Sequence, residues 1–137
     1  VALQKAEKLT RQAGSSNITF VKGDCFVLPF PDNSFDLVWS QGLLEHFDEP
    51  EKILREQYRV CRKGGYVLAS VPFKYSYHLL WYKLTRPKLF RFLWPWTEQR
   101  FYAKKELQEL GIKITSSSKS FLLRPCLLGI AVLELRK

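Results

Sequence analysis

The chain has 137 residues, 46% of them apolar and 15% aromatic, enough to bury one core and too much apolar content for a disordered segment. A net charge of +9 points to polyanions or an anionic membrane surface as partners without defining a chemistry. No apolar run approaches the ~20 residues that cross a bilayer, and the chain opens on charged residues instead of a signal peptide, so a cytoplasmic protein is expected. Methionine is absent, so Val1 is not expected to be a translation start and a segment is expected upstream. Cys25, Cys61 and Cys126 are odd in number and lack a CxxC spacing, which predicts reduced thiols and no zinc or redox site.

In chain order, Ala2, Leu3, Ala6, Leu9 and Ala13 recur at helical spacing between charged residues, and Gly14 supplies a left-handed stop. This predicts an opening amphipathic helix that packs against something. Ser15 to Asn17 form a loop, and the β-branched and aromatic run Ile18 to Lys22 predicts a strand ending in Gly23-Asp24-Cys25. Pro29, Pro31 and the cluster Asp32-Asn33-Ser34 predict an irregular loop over 28–34. Phe35 to Trp39 is the next strand, ending in Ser40-Gln41-Gly42.

Asp48 and Glu51 have capping-box spacing, with Pro50 tolerable in the first turn of the helix they open. Ile53, Leu54, Tyr58 and Cys61 form its expected buried stripe, and Gly64-Gly65 its expected end. Tyr66 to Val71 follows as a strand that stops at Pro72. Over 73–101 aromatic residues, Trp81, Trp94 and Trp96 among them, alternate with Lys83, Arg86, Lys88 and other basic residues, which predicts an insertion with one or two short helices. Ala103 to Leu110 reads as a helix stopped by Gly111, Ile112 to Thr115 and Gly129 to Leu135 as a closing pair of strands, and Ser116 to Ser118 as a loop. Strand, helix and strand in alternation predict an α/β domain whose ligand sits outside the carboxyl ends of the strands.

The run GDCFVLPFPDNSFDLVWSQGLLEHFDEPEKILREQYRVCRKGGYVLASVP, residues 23–72, resembles the middle of a class I S-adenosylmethionine-dependent methyltransferase, closest to the group that includes ubiquinone and menaquinone biosynthesis enzymes. Phe101 to Leu107 also resembles that family's late helix. The resemblance implies one partial Rossmann-like domain over 1–137, with sheet order 3-2-1-4-5-7-6 and the first two strands lacking. It implies S-adenosylmethionine as cofactor and a small or lipid-like methyl acceptor, with the aromatic insertion at 73–101 as a lid over the acceptor.

By the same resemblance Asp24 accepts a hydrogen bond from the adenine amino group, the Cys25 N–H donates to the ring, and Leu28 packs on its face. Ser40 and Gln41 lie where the family places the methionine part of the cofactor, and His46 is the candidate base. Some metal-dependent relatives carry two glutamates and a histidine here. Glu45 and His46 match, but Gly42 replaces the first glutamate, so no metal is expected. Asp36 opens its strand at the far edge and reads as structural.

The glycine-rich turn and the ribose-binding acid would lie before Val1, so the segment is expected to bind cofactor poorly or not at all and to be inactive alone. The missing strands leave edges expected to close by pairing 18–22 against 35–39 or by self-association with another chain. A non-catalytic module that binds a membrane surface or a protein is the alternative, and nucleic acid is the least favoured partner.

Overall fold

The computed structural model describes residues 2–15, 17–76, 79, 83–84, 99–123 and 129–137. Most of the aromatic insertion, including Trp81, Trp94 and Trp96, lies outside the described residues, as does Cys126, so the lid expectation concerns residues outside this description.

Among the described residues four strands form one mixed sheet: β1 (Phe35–Gln41), β2 (Cys61–Pro72), β3 (Ser118–Leu122) and β4 (Ile130–Arg136). Their spatial order is β1-β2-β4-β3. β1 and β2 run parallel, whereas β4 is antiparallel to both of its neighbours, β2 and β3. This is the 4-5-7-6 portion of the sheet that the resemblance implies. Among the described residues the helices α1 (Ala2–Gln12), α2 (Pro50–Val60) and α3 (Lys104–Ile112) accompany it. Because β1 and β2 are parallel, the chain must cross over between them, and α2 makes that crossover.

Side chains alternate across a strand, so the register assigns the faces. Val67, Ala69 and Val71 of β2 share a face with Ala131, Leu133 and Leu135 of β4, and all are buried. Ile53 and Leu54 of α2 and Leu107 of α3 close over this face, each essentially inaccessible to solvent. Arg55 ties the two helices by donating to the Lys113 carbonyl just beyond α3 (3.1 Å). The opposite face carries Leu37 and Trp39 at 53% and 63% exposure. One layer of helices thus covers one side of the sheet among the described residues.

Several expected elements are corrected. Residues 18–22 run without a ladder partner, and Ile18 and Val21 are exposed; a β-branched run has nothing to pair with here, and it does not re-pair against β1. α1 forms as expected, but none of its described side chains is buried. Asp48 does not cap α2: Pro50 is the first helical residue, Glu49 precedes it without a side-chain cap, and Glu51 pairs with Arg55 at 2.7 Å instead.

Gly64-Gly65 does not end α2 either. The Asn33 and Ser34 N–H groups bond the Arg59 and Val60 carbonyls (3.1 and 2.7 Å), and Cys61 then enters the ladder opposite Phe35. The glycines lie in the irregular stretch of β2 that follows. Gly64 has φ +78°, and a side chain on Gly65 would come within 2.6 Å of the Asp36 carbonyl oxygen. Ile112 to Thr115 completes α3 and its exit turn, while the strand begins at Ser118, inside the expected serine loop. Serines suit that position because β3 packs closely beneath α3.

Gly111 is therefore a contact residue inside α3. A Cβ there would meet Leu133 Cδ1 at 2.7 Å and Ser118 Cβ at 2.9 Å. Replacing a helical glycine by alanine ordinarily stabilises by ~1 kcal/mol. Overpacking against a fixed Cβ costs about 1–3 kcal/mol and outweighs it. Gly111→Ala is expected to lower the urea midpoint of unfolding; an unchanged or raised midpoint refutes the close-packing role.

Candidate functional site

Two hollows adjoin β1 and reach its carboxyl end. The larger, of about 490 Å³, runs along the strand from Phe35 and Leu37 to Ser40 and Gln41, with Cys25, Leu28, Leu43 and Gln57 among its other walls. The smaller, of about 210 Å³, lies between the ends of β1 and β2 and the start of β4, with Gln41, Gly42, Glu45, Ser70, Pro72 and Ile130 among its walls. Gln41 belongs to both. A parallel pair delivers both of its carboxyl ends to one edge, and here the register aligns Gln41 with Ser70. The Gly42 N–H then bonds the Ser70 carbonyl (3.1 Å), and Gly42, at φ +64°, turns the chain away from the sheet.

The structure thus brings together four of the sequence-predicted site residues, Cys25, Leu28, Ser40 and Gln41, around one hollow. Asp24 adjoins Cys25 at its rim, is exposed, and accepts the Phe26 N–H at Oδ1 (2.9 Å) in a turn that also joins Val27 to the Asp24 carbonyl (3.1 Å). Gly23 before it must be small, since a Cβ would meet the Pro29 ring at 2.8 Å. Burial and the neighbouring Asp24 push the Cys25 thiol above its ordinary range, so it stays protonated and is a poor nucleophile at neutral pH. His46 is exposed at the end of the 3-10 turn Leu44–His46 and lines neither hollow. Asp36 pairs with Arg62 at 2.6 Å near the start of β1, and it lines neither hollow although its neighbours Phe35 and Leu37 border the larger one.

Sequence reasoning missed three features. The first is the clamp on the 24–34 loop. The Leu28 N–H donates to Glu56 Oε1 (2.7 Å), and Arg59 donates to the Leu28 carbonyl (3.1 Å), so both peptide groups of Leu28 are held by α2. Arg59 also grips both Glu56 oxygens (2.7 and 2.9 Å) and Asp32 (2.6 Å). The i, i+3 spacing of Glu56 and Arg59 was visible, but it reads as an ordinary surface pair until the loop is seen to lie on it. Arg59 holds the Glu56 carboxyl below its usual range.

The second is Gln57, a buried polar residue facing Ser40, whose hydroxyl donates to it at 3.4 Å. The third is Glu45, which is only 5% exposed; burial pushes its carboxyl pKa up. A third depression, about 710 Å³, runs between α2 and α3, but Glu49, Glu51, Lys52, Arg55 and Lys113 line it and are engaged in solvated pairs with one another. Its walls have a larger polar share than those of the hollow along β1. Among the described residues no group of three or more acidic, histidine or cysteine side chains is placed to hold a metal ion.

A half-open sheet with its hollows at the carboxyl edge is the arrangement of Rossmann-like methyltransferases. The fold matches a solved S-adenosylmethionine-dependent methyltransferase from Thermotoga maritima, described as a possible histamine N-methyltransferase, with a TM-score of 0.68 and 22% identity over 96% of this chain and 68% of that one. The methyltransferase-domain family model matches residues 1–69, and the chain belongs to that family. It is 42% identical over 66 residues to an uncharacterised methyltransferase of Schizosaccharomyces pombe (48% of this chain, 23% of that protein). It is 33% identical over 87 residues to a demethylmenaquinone methyltransferase of Anoxybacillus flavithermus (61% of this chain, 37% of that protein). The chain thus spans well under half the length of these curated relatives. The cofactor of the class is S-adenosylmethionine, and the larger hollow fits its chemistry: apolar walls at Leu28, Phe30 and Val60 suit a purine, and Ser40, Gln41 and Gln57 suit the polar end.

If α2 fixes the loop through Arg59, Arg59→Ala frees Leu28 without disturbing the core. Amide exchange at Leu28 is expected to quicken about tenfold, the equivalent of one ordinary net hydrogen bond, while exchange at Leu133 stays unchanged. The sign with pH follows from Glu56. Its folded pKa is depressed, so its contribution is present above the unfolded value near ~4.3 and is lost as pH falls through the folded one. Leu28 protection that is insensitive to both the mutation and acid refutes the clamp.

Proposed function

We propose that this domain takes part in methyl transfer from S-adenosylmethionine to a small or lipid-like acceptor, with the cofactor in the larger hollow and the acceptor beside it at the β1–β2 edge. The reading is carried by one observation: Cys25, Leu28, Ser40 and Gln41, from two separate segments, line a common concavity that runs along β1 to its carboxyl end. Leu28, held rigidly by α2, is the apolar wall for the adenine, and the peptide N–H of Cys25 is its donor. Asp24 keeps its second carboxylate oxygen for the exocyclic amine, which needs an acceptor. Ser40 and Gln41 hold the methionine end, with Gln57 fixing Ser40 from below.

The bound cofactor supplies an electrophilic methyl group on a sulfonium, so the protein's contribution is alignment and exclusion of water. His46 serves as base only where an acceptor must lose a proton. It lies exposed at the end of the 3-10 turn, next to Glu45 of the smaller hollow and outside the walls of both hollows. The relative that methylates demethylmenaquinone supports a ring-bearing, lipid-like acceptor. No described helix is long and apolar enough to cross a membrane.

The described rim provides Asp24 but no second carboxylate for a ribose diol, so affinity from this chain alone is expected to be weak. Titration of the 137-residue chain with S-adenosylhomocysteine, followed by amide chemical shifts, is expected to perturb Cys25, Leu28, Ser40 and Gln41 with a Kd weaker than ~10 μM, a binding free energy smaller than ~7 kcal/mol. Leu28→Glu is expected to abolish the shifts. Perturbations confined to the α2–α3 depression, or none at millimolar ligand, refute the site; calorimetry giving micromolar or tighter affinity refutes the weak-binding expectation.

A further inference from the structure

Glu45 sits on the 3-10 turn directly after β1, and its surroundings leave its carboxyl group stranded. Oε2 is fully buried and has no hydrogen-bond partner among the described residues. Folded proteins leave few such groups, and each calls for a physical account. The turn that carries it is not loosely placed. The Glu45 carbonyl accepts the Arg100 N–H (2.9 Å), the neighbouring Leu44 carbonyl accepts the hydroxyl of buried Tyr102 (3.3 Å), and Leu44 itself is in the core. The side chain turns back towards the sheet, because a Cβ on Gly42 would lie 3.5 Å from Glu45 Oε1.

Glu45 is therefore held firmly against the 210 Å³ hollow, in which it is the one ionisable side chain among the described lining residues. The remaining walls include the apolar Pro72 and Ile130 and the hydroxyl of Ser70, which already accepts from Trp39 Nε1 at 3.1 Å. The second buried polar atom without a partner among the described residues is Gln99 Nε2, a donor one residue before Arg100. Gln99 lines neither hollow, so Glu45 Oε2 is the orphan that bears on this one.

We propose that this hollow is the acceptor subsite and that Glu45 Oε2 receives a hydroxyl or amino group of the bound molecule. The inference deepens the methyl-transfer reading and rests on it for the word acceptor, but the subsite itself rests on the orphaned carboxyl and the hollow. An anion is excluded by the carboxylate, and the volume, below the ~300 Å³ at the low end of ordinary ligand pockets, takes a single ring or the polar head of a longer molecule. The raised Glu45 pKa agrees with the geometry, since burial destabilises the charged form more than a hydrogen bond from its own backbone N–H favours it. Of the charged and titratable groups near it, His46 favours the carboxylate, and Tyr102 is itself pushed up by burial and by Glu45.

The test uses phenol and anisole, which share a ring and differ in the one O–H. Phenol is expected to shift the Gly42, Glu45 and Ser70 amides and to bind at least fivefold more tightly than anisole. Glu45→Leu is expected to erase that preference and to raise the thermal midpoint, because an unsatisfied carboxyl is replaced by an apolar side chain of similar size. A residue that merely supports the fold would lower it. Glu45→Gln, which keeps shape and hydrogen-bonding capacity, is expected to retain part of the preference.

Equal binding of the two probes, binding of neither, shifts elsewhere, or a preference unchanged in Glu45→Leu overturns the proposal, as does a lowered midpoint in both variants. Parallel titration with S-adenosylhomocysteine separates the two readings. Phenol preference without cofactor shifts leaves the donor subsite standing and removes methyl transfer. Cofactor shifts without phenol preference do the reverse.

Discussion

The parallel pairing of β1 with β2 is the constraint on which the site depends. It places Gln41 beside Ser70 and lets the Gly42 N–H reach the Ser70 carbonyl, so that the chain leaves the sheet at the edge where β2 also ends. Both hollows are consequences of that edge. The larger runs along β1 and reaches that edge at Ser40 and Gln41, and the smaller opens between the ends of β1 and β2. An antiparallel partner would have brought an amino end to the same place, with its side chains leaning the other way. The pairing is secured by α2, whose Ile53 and Leu54 cover Val67 and Ala69, and by β4, which buries β2 from its other side.

Rigidity and openness divide cleanly around this edge. The loop that carries Cys25 and Leu28 has no ladder of its own, yet its middle is fixed by two hydrogen bonds from α2 and by the grip of Arg59 on Glu56 and Asp32. A single exposed ion pair contributes little, but a bidentate arginine that also donates to the Leu28 carbonyl, beside a glutamate that accepts the Leu28 N–H, is a network, and networks hold geometry where isolated pairs do not. The apolar wall at Leu28 is thereby preformed, which lowers the entropy that a ligand would have to remove.

The turn after β1 shows the opposite economy of design. Leu44 is in the core and Tyr102 anchors its carbonyl, while the next side chain, Glu45, is kept from water with its Oε2 unpartnered among the described residues. Such a group lowers stability for as long as the site is empty of a partner, and this tension between folding and binding is the ordinary state of functional sites. The exposed apolar side chains of β1, Leu37 and Trp39, belong to the same edge and face away from the helices.

The sequence by itself determined the helix–strand alternation from Phe35 to Pro72, the irregular loop over 28–34 and the placing of Ser40 and Gln41 at a strand end, because periodicity and turn residues are local signals. It located α1, and α3 to within two residues, for the same reason. It misjudged Ile18 to Lys22, since a β-branched run becomes a strand only if a neighbour lies beside it. It read Gly64 and Gly111 as helix stops, when one is needed for its left-handed conformation in an irregular strand and the other for contact with Leu133 and Ser118. Tertiary structure alone decided that Glu56 and Arg59 grip Leu28, that Gln57 faces Ser40, and that Glu45 is buried without a donor. Those relations join residues far apart in the chain or turn on burial, and no local pattern of residue types carries information about either.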